Sequence, residues 1–188
     1  RLPTLKERFK VPHFDGKGAA DAAFAAEGVP TTYMLAAFYW DNLVGFGMGP
    51  RRGGDGSLAF ALPLGGVALP GIAAEDIGRC ALGILRLGRD AVGARIGISG
   101  GNLSGAEMAA KMGRALGQEV RFVDVPFAAY RALGFPGADD LGNMFEFQAI
   151  LGDEFQRARD PRRSRELNPR LQDFDAWLKA NAAKLPIQ

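Results

Sequence analysis

Cysteine and histidine are almost missing from this chain: 188 residues hold one of each, Cys80 and His13. A single cysteine excludes an internal disulfide framework and makes a reduced, cytoplasmic protein the default reading. With one histidine there is no Cys/His cluster, so no metal site is expected. Long apolar runs are also lacking. No stretch approaches the roughly 18–20 apolar residues that a membrane helix needs, and the start, RLPTLKERFK, has no apolar core of the kind a signal peptide carries. Nor does charge of one sign dominate. Lys and Arg number 23 against 21 Asp and Glu, a net +2 too mild to point to nucleic acid.

A third absence is more specific. A nucleotide-binding fold needs a first strand and a Gly-rich turn that cradles pyrophosphate at a helix N-terminus, and no such turn precedes residue 30. GISGGN (97–102) follows a strand-like run, but no acidic ribose reader stands at the usual distance, so it reads as a plain turn. The chain starts with arginine rather than methionine and is read as a piece of a longer protein.

What is present alternates strand and helix signals. Asp15 is a plausible N-cap for the alanine-rich run that stops at Gly28, and TTYML follows as a short buried strand. The aromatic–polar segment AAFYWDN then stands where that strand ends, the position at which open α/β sheets place ligands. SLAFALPL and GVALP around Gly65-Gly66 suggest a hairpin. Helices are expected over IAAEDIGRCALGILRLG, with Ile77, Ala81, Ile84 and Leu85 inward, and over SGAEMAAKMGRALG, where Ser104 and Glu107 form a capping box. EVRFVDV reads as a strand, and PFAAYRAL and PGADDLGNMFEFQAIL as helices, the latter with Leu141, Met144, Phe145 and Ile150 mostly on one side. RARDPRRSRELNP is expected to be a solvated loop: its five arginines between 157 and 165 lie among acidic residues, without interleaved aromatics. LQDFDAWLKANAAKL closes the chain as an amphipathic helix, and Cys80 is expected to be inert packing. The fold class is α/β.

Several segments together resemble one family. VPHFDGKGAADAAFAAEGVPTTYML, AAFYWDNL, YRALGFPGADDLGNMFEF and DFDAWLKAN, in that order from about residue 11 to 180, look like the NmrA-like proteins. These are atypical members of the short-chain dehydrogenase/reductase superfamily, and the redox-sensing type is the nearest match. The resemblance implies a Rossmann domain that binds NADP(H) and a smaller α+β C-terminal domain, with the Gly-rich half lying upstream of this chain. It implies that residues 1–45 are a remnant of the Rossmann domain and 46–188 mostly the smaller domain, with some segments returning to the Rossmann sheet. Carried over residue by residue, Lys17 matches the lysine that reaches the nicotinamide ribose. Tyr39, Trp40, Asp41 and Asn42 match the segment lining the nicotinamide; Trp40 departs from the more usual phenylalanine.

His13 and Lys17 stand at the spacing of the Tyr-x-x-x-Lys pair of short-chain reductases. Histidine titrates near neutrality and could donate a proton. Pro12 before it and Asp15-Gly16 after it, however, lead us to expect a loop rather than a helical pair, with no catalytic residue retained. Without a matched acid, hydride transfer to a carbonyl loses about 10²–10⁴ in rate. The expected function is therefore an NADP(H)-binding regulatory or redox-sensing protein with little turnover, acting through a regulatory protein partner or a homodimer. The alternatives are an NADPH-dependent reductase of quinones or enones and a scaffold that has lost the cofactor. Neither nucleic acid nor membrane is expected as a partner.

Overall fold

The computed structural model describes residues 10–187. Its strands form three small sheets, each containing a parallel pair. β1 (Tyr33–Leu35) pairs with β6 (Arg95–Gly97), Met34 opposite Ile96. β2 (Phe38–Tyr39) lies parallel to β5 (Leu69–Ile72), which is antiparallel to β7 (Gly101–Leu103). β4 (Leu58–Leu62) is flanked by the antiparallel β3 (Arg51–Arg52) and the parallel β8 (Val120–Asp124). Parallel neighbours require long crossovers, which the helices supply, so the chain is α/β as expected.

The helices, in chain order, are α1 (Pro12–Ala26), α2 (Asn42–Gly45), α3 (Ala74–Arg86), α4 (Gly105–Leu116), α5 (Phe127–Arg131), α6 (Ala138–Leu151), α7 (Asp153–Arg157), α8 (Pro161–Leu167) and α9 (Phe174–Asn181). α4 follows its sequence signals closely. Ser104 accepts from the Glu107 N–H while Glu107 accepts from the Ser104 N–H, and Gly117 ends the helix at φ 66°. The main core gathers Phe60, Met112, Phe145 and Trp177 between the β4–β8 sheet and helices α4, α6 and α9. A second cluster, with Ile72, Cys80, Ile84, Ile98 and Leu167, lies between α3, α8 and the ends of β5 and β6. No helix among the described residues is long and apolar enough to cross a membrane.

Four expectations need correction. The glycines at 65 and 66 do not turn a hairpin, since β4 and β5 lie in different sheets. Instead Asp124, at the end of β8, accepts the N–H groups of Leu64, Gly65 and Gly66 at 2.8, 3.0 and 2.8 Å and holds that turn. The arginine-rich run is helical. Asp160 caps α8 by accepting from the Arg162 N–H, and Pro161 occupies its first turn. Leu85 and Ile150, read as inward, are exposed; α3 buries Asp76, Cys80, Gly83 and Ile84 instead, and α6 buries Phe147 and Gln148. Finally, α1 begins at Pro12 and not beyond Gly16. Val11 precedes it, its carbonyl accepting from the N–H of Phe14 and of Asp15, both at 2.8 Å, so Asp15 is inside the first turn and caps nothing.

Candidate functional site

The early start of α1 changes the geometry around VPHFDGK. Proline fits the first helical position because the N–H it lacks would have no helical partner there. His13 and Lys17 are therefore a helical i, i+4 pair, on one face and about 6 Å apart along the axis. Lys17 is exposed, and its ammonium makes no hydrogen bond or ion pair among the described residues. His13 is half-buried. Its Nδ1 lies 2.8 Å from Oδ2 of Asp140 in the first turn of α6. A carboxylate only accepts, so Nδ1 carries the proton and donates, and Nε2 is left for other work.

α6 braces more than the histidine. Asn143 donates from Nδ2 to the Lys10 carbonyl at 2.9 Å, and Phe147 meets Phe14 edge-on at 6.2 Å between centroids. The same helix presents Phe145 to Phe38 of β2, 6.3 Å between centroids. From Asp140 to Phe147 the helix rises about 10 Å. It thereby supports both the start of α1 and the strand that leads into Tyr39–Asn42. The far half of α1 is tied to the β1–β6 pair, where Arg95 Nη1 bonds Asp21 Oδ2 at 2.8 Å and stacks on the Tyr33 ring.

The four residues of the aromatic–polar run are placed very differently. Tyr39 is 38% exposed and presents its ring to solvent. Trp40 is 1% exposed. Its indole fits over two glycines: a Cβ on Gly71 would fall 2.1 Å from Nε1, and one on Gly100 would fall 2.7 Å from the far edge of the ring. Phe174 and Trp177 close the remaining sides, with ring centroids at 5.2 and 6.4 Å. Trp40 is therefore core in this chain and offers no open wall, against the expectation that it lines a ligand. Asp41 accepts from the Ala74 N–H through Oδ2 at 2.7 Å, placing a negative charge at the start of α3, where the helix dipole favours it. Asn42 begins α2, half-buried, and its amide makes no hydrogen bond among the described residues.

Two contributors went unrecognised in the sequence. Asp140 sits in a quoted motif, but its partner stands 127 positions away and no local pattern joins them. Arg159 belongs to the run expected to be a solvated loop, yet it is 4% exposed. Its Nε donates to the Ala36 carbonyl at 3.0 Å, and its guanidinium lies 3.6 Å over the Phe155 ring. Burial lowers its pKa to about 10. Arg159 thus clamps the segment between β1 and β2 from beneath. The Asp160-Pro161 pair, an N-cap followed by a first-turn proline, was the available sign that a helix and not a loop follows.

GISGGN joins β6 to β7, and Gly97 permits the close approach of the Ala158 carbonyl, so this turn serves packing. Two shallow surface clefts, about 340 and 440 Å³, lie elsewhere; His13, Lys17 and residues 39–42 line neither. Among the described residues no group of His, Cys, Asp and Glu could hold a metal ion.

Comparison with known proteins fits this architecture. The model of the NmrA-like family matches residues 4–178. Among solved structures, NmrA, a negative transcriptional regulator, superposes with a TM-score of 0.66 at 19% identity, over 87% of this chain and 56% of that one. The triphenylmethane reductase of Citrobacter sp., complexed with NADP(H), gives 0.66 at 15% identity, over 87% of this chain and 57% of that one. A nucleoside-diphosphate-sugar epimerase from Staphylococcus aureus gives 0.67 at 22%, over 86% and 56%. NmrA has also been crystallised with NADP. At these identities the likeness is one of fold, and the chain spans little more than half the length of each neighbour.

Proposed function

The chain belongs to the NmrA-like family, and on that premise we propose that the protein binds NADP(H), with Lys17 on the nicotinamide ribose and Tyr39, Asp41 and Asn42 around the nicotinamide end. The observation that carries this reading is Lys17 itself: an exposed ammonium without a partner among the described residues, on a helix that buries none of its residues. An ammonium can donate to two ribose hydroxyls at once, an aromatic face can cover a flat heterocycle, and the Asn42 amide can both donate and accept. These residues fit the ribose and nicotinamide half of the cofactor. NADP(H) bound to structural neighbours adds support.

The use made of the bound cofactor is regulatory in this reading. α6 touches both the start of α1 and β2, so occupancy between them alters the surface that α6 and its surroundings present to a protein partner or a second copy. Little turnover is needed for that role, which is that of a redox sensor, and a cytoplasmic one in this reading. Calorimetric titration of the full-length natural protein with NADPH and NADP⁺ is the test. Binding to at least one is expected, and binding to neither overturns the reading.

A second reading is an NADPH-dependent reductase of quinones or enones, and one observation favours it. Little turnover follows only if the chain lacks a positioned acid, as it would with His13 in a loop. His13 is on the helix, one turn from Lys17 and hydrogen-bonded to a carboxylate.

A further inference from the structure

Asp140 is oddly placed for a purely structural carboxylate. Its Oδ2 accepts from His13, while its Oδ1 is buried and takes no hydrogen bond among the described residues. Buried carboxylate oxygens are normally satisfied several times over, as Asp76 is in this chain by Asn168, Arg79 and the Gln172 N–H. Among the described residues Asp140 has one partner, His13, the single imidazole of this chain. The ring is edge-on to Phe14 at 4.6 Å, which limits its rotation further. A histidine with its Nδ1–H on a carboxylate, its plane set by a neighbouring ring and its outer nitrogen available has the parts of a positioned acid–base group.

We infer that His13 is a proton donor to an enone-type carbonyl acceptor reduced at this site, and that Asp140 is its positioning residue. The inference rests on the reductase reading above. NADPH, when bound, supplies a hydride and leaves as NADP⁺. The hydride forms a C–H bond at the β-carbon of the enone, and the conjugated π electrons move onto the carbonyl oxygen. That oxygen takes the Nε2 proton of the His13 imidazolium, giving the enol, which relaxes to the saturated ketone. His13 returns to the neutral Nδ1–H form that Asp140 holds, and solvent reloads Nε2. One enone, one NADPH and one proton become one ketone and one NADP⁺. Lys17, one turn along the same helix, holds the ribose and so sets the distance between nicotinamide and acid.

Four variants of the full-length natural protein test this: His13→Ala, Asp140→Asn, Lys17→Ala and Asn143→Ala. Cyclohexenone and menadione serve as acceptors, and calorimetry with NADPH reads binding independently of turnover. His13→Ala is expected to lower kcat with cyclohexenone by about 10²–10⁴ while NADPH affinity stays within about threefold, and added imidazole should restore part of the rate. Menadione, which demands less of an acid, should lose less. Asp140→Asn should fall between wild type and His13→Ala, and the imidazole nitrogen signals should show the Nδ1 proton bond weakened. Asn143→Ala loosens the same helix start without touching His13, so any loss of kcat should be far smaller than in His13→Ala and should not be restored by imidazole. An unchanged cyclohexenone rate in His13→Ala overturns the assignment, as does a loss in Asn143→Ala as deep as in His13→Ala. NADPH binding without oxidation by either acceptor overturns the reductase reading and this inference together, leaving the cofactor site standing. Failure of the wild type to bind NADPH removes the cofactor reading itself.

Discussion

α1 and α4 are helices of 15 and 12 residues, both followed by a left-handed glycine, and they are held in the protein by opposite means. α4 is written by its periodicity. Met108, Ala109 and Met112 face the core, a capping box opens it, and Gly117 closes it. α1 buries nothing along its length, and Phe24 is half-exposed. Apart from Phe14, which meets Phe147 at the edge of the core, its position comes from polar ties at two points, His13 and the Lys10 carbonyl to α6, and Asp21 to Arg95. A helix kept in place by packing must spend its side chains on the core. One kept in place by a few polar bonds has its remaining side chains, Lys17 first among them, free for a ligand.

The contrast can be broken most forcefully in the core beneath α4. Met112 is fully buried, and Met112→Ala should cost about 2–5 kcal/mol in urea unfolding. A cost below 1 kcal/mol would mean that α4 does not depend on packing. Close behind should come Gly71→Ala, whose new Cβ would overlap the Trp40 indole; about 1–3 kcal/mol or more is expected, measured the same way.

The cap is the next test. Ser104→Ala should destabilise by about 1 kcal/mol. Glu107 adds a pH signature. Its carboxylate is held below the usual range by the Ser104 N–H, then by the Ser104 hydroxyl. A depressed acid contributes stability above its unfolded pKa and loses it as pH falls through the folded value. Glu107→Gln should therefore be less stable than wild type at neutral pH, the difference closing in acid below the normal carboxylate range. A difference constant with pH would refute the cap's contribution. His13→Ala, by contrast, removes a half-exposed pair and should cost no more than about 1 kcal/mol, although it sits in α1's main tie. The smallest effect should be at Cys80. Burial, and then the nearby Asp76 charge, raise its thiol pKa to about 11, so the native protein should react negligibly with a thiol reagent at pH 8 and fully after unfolding.

The same contrast explains what could be read without a structure. Ser104, Glu107 and Gly117 are local signals, satisfied within one helix, and they define α4 correctly. Val120–Asp124 likewise alternates as a strand should. Pro12, a first-turn proline, marks the start of α1, while Asp15-Gly16 mimics a cap and turn and competes with that signal. For Trp40 the sequence shows no sign of which side of a strand end is enclosed. Gly71 and Gly100, 31 and 60 positions on, decide that by making room for the indole. His13–Asp140 and Arg159–Ala36 span 127 and 123 positions, and contacts of that range leave no local trace. The framework was thus readable where its determinants are local, and the site was readable only as residue types.

The central claim is that α1 presents Lys17 to a cofactor and, beyond Phe14 in its first turn, adds nothing to the core. Calorimetric titration of the full-length natural protein and of Lys17→Ala with NADPH, alongside their urea unfolding curves, tests it most directly. The predicted result is about 10-fold or greater weakening of NADPH binding, the loss of a charge-assisted hydrogen-bonding group, with unfolding stability unchanged within about 0.5 kcal/mol. Equal affinity in the two proteins, or a variant that binds poorly only because it is unfolded, would contradict it.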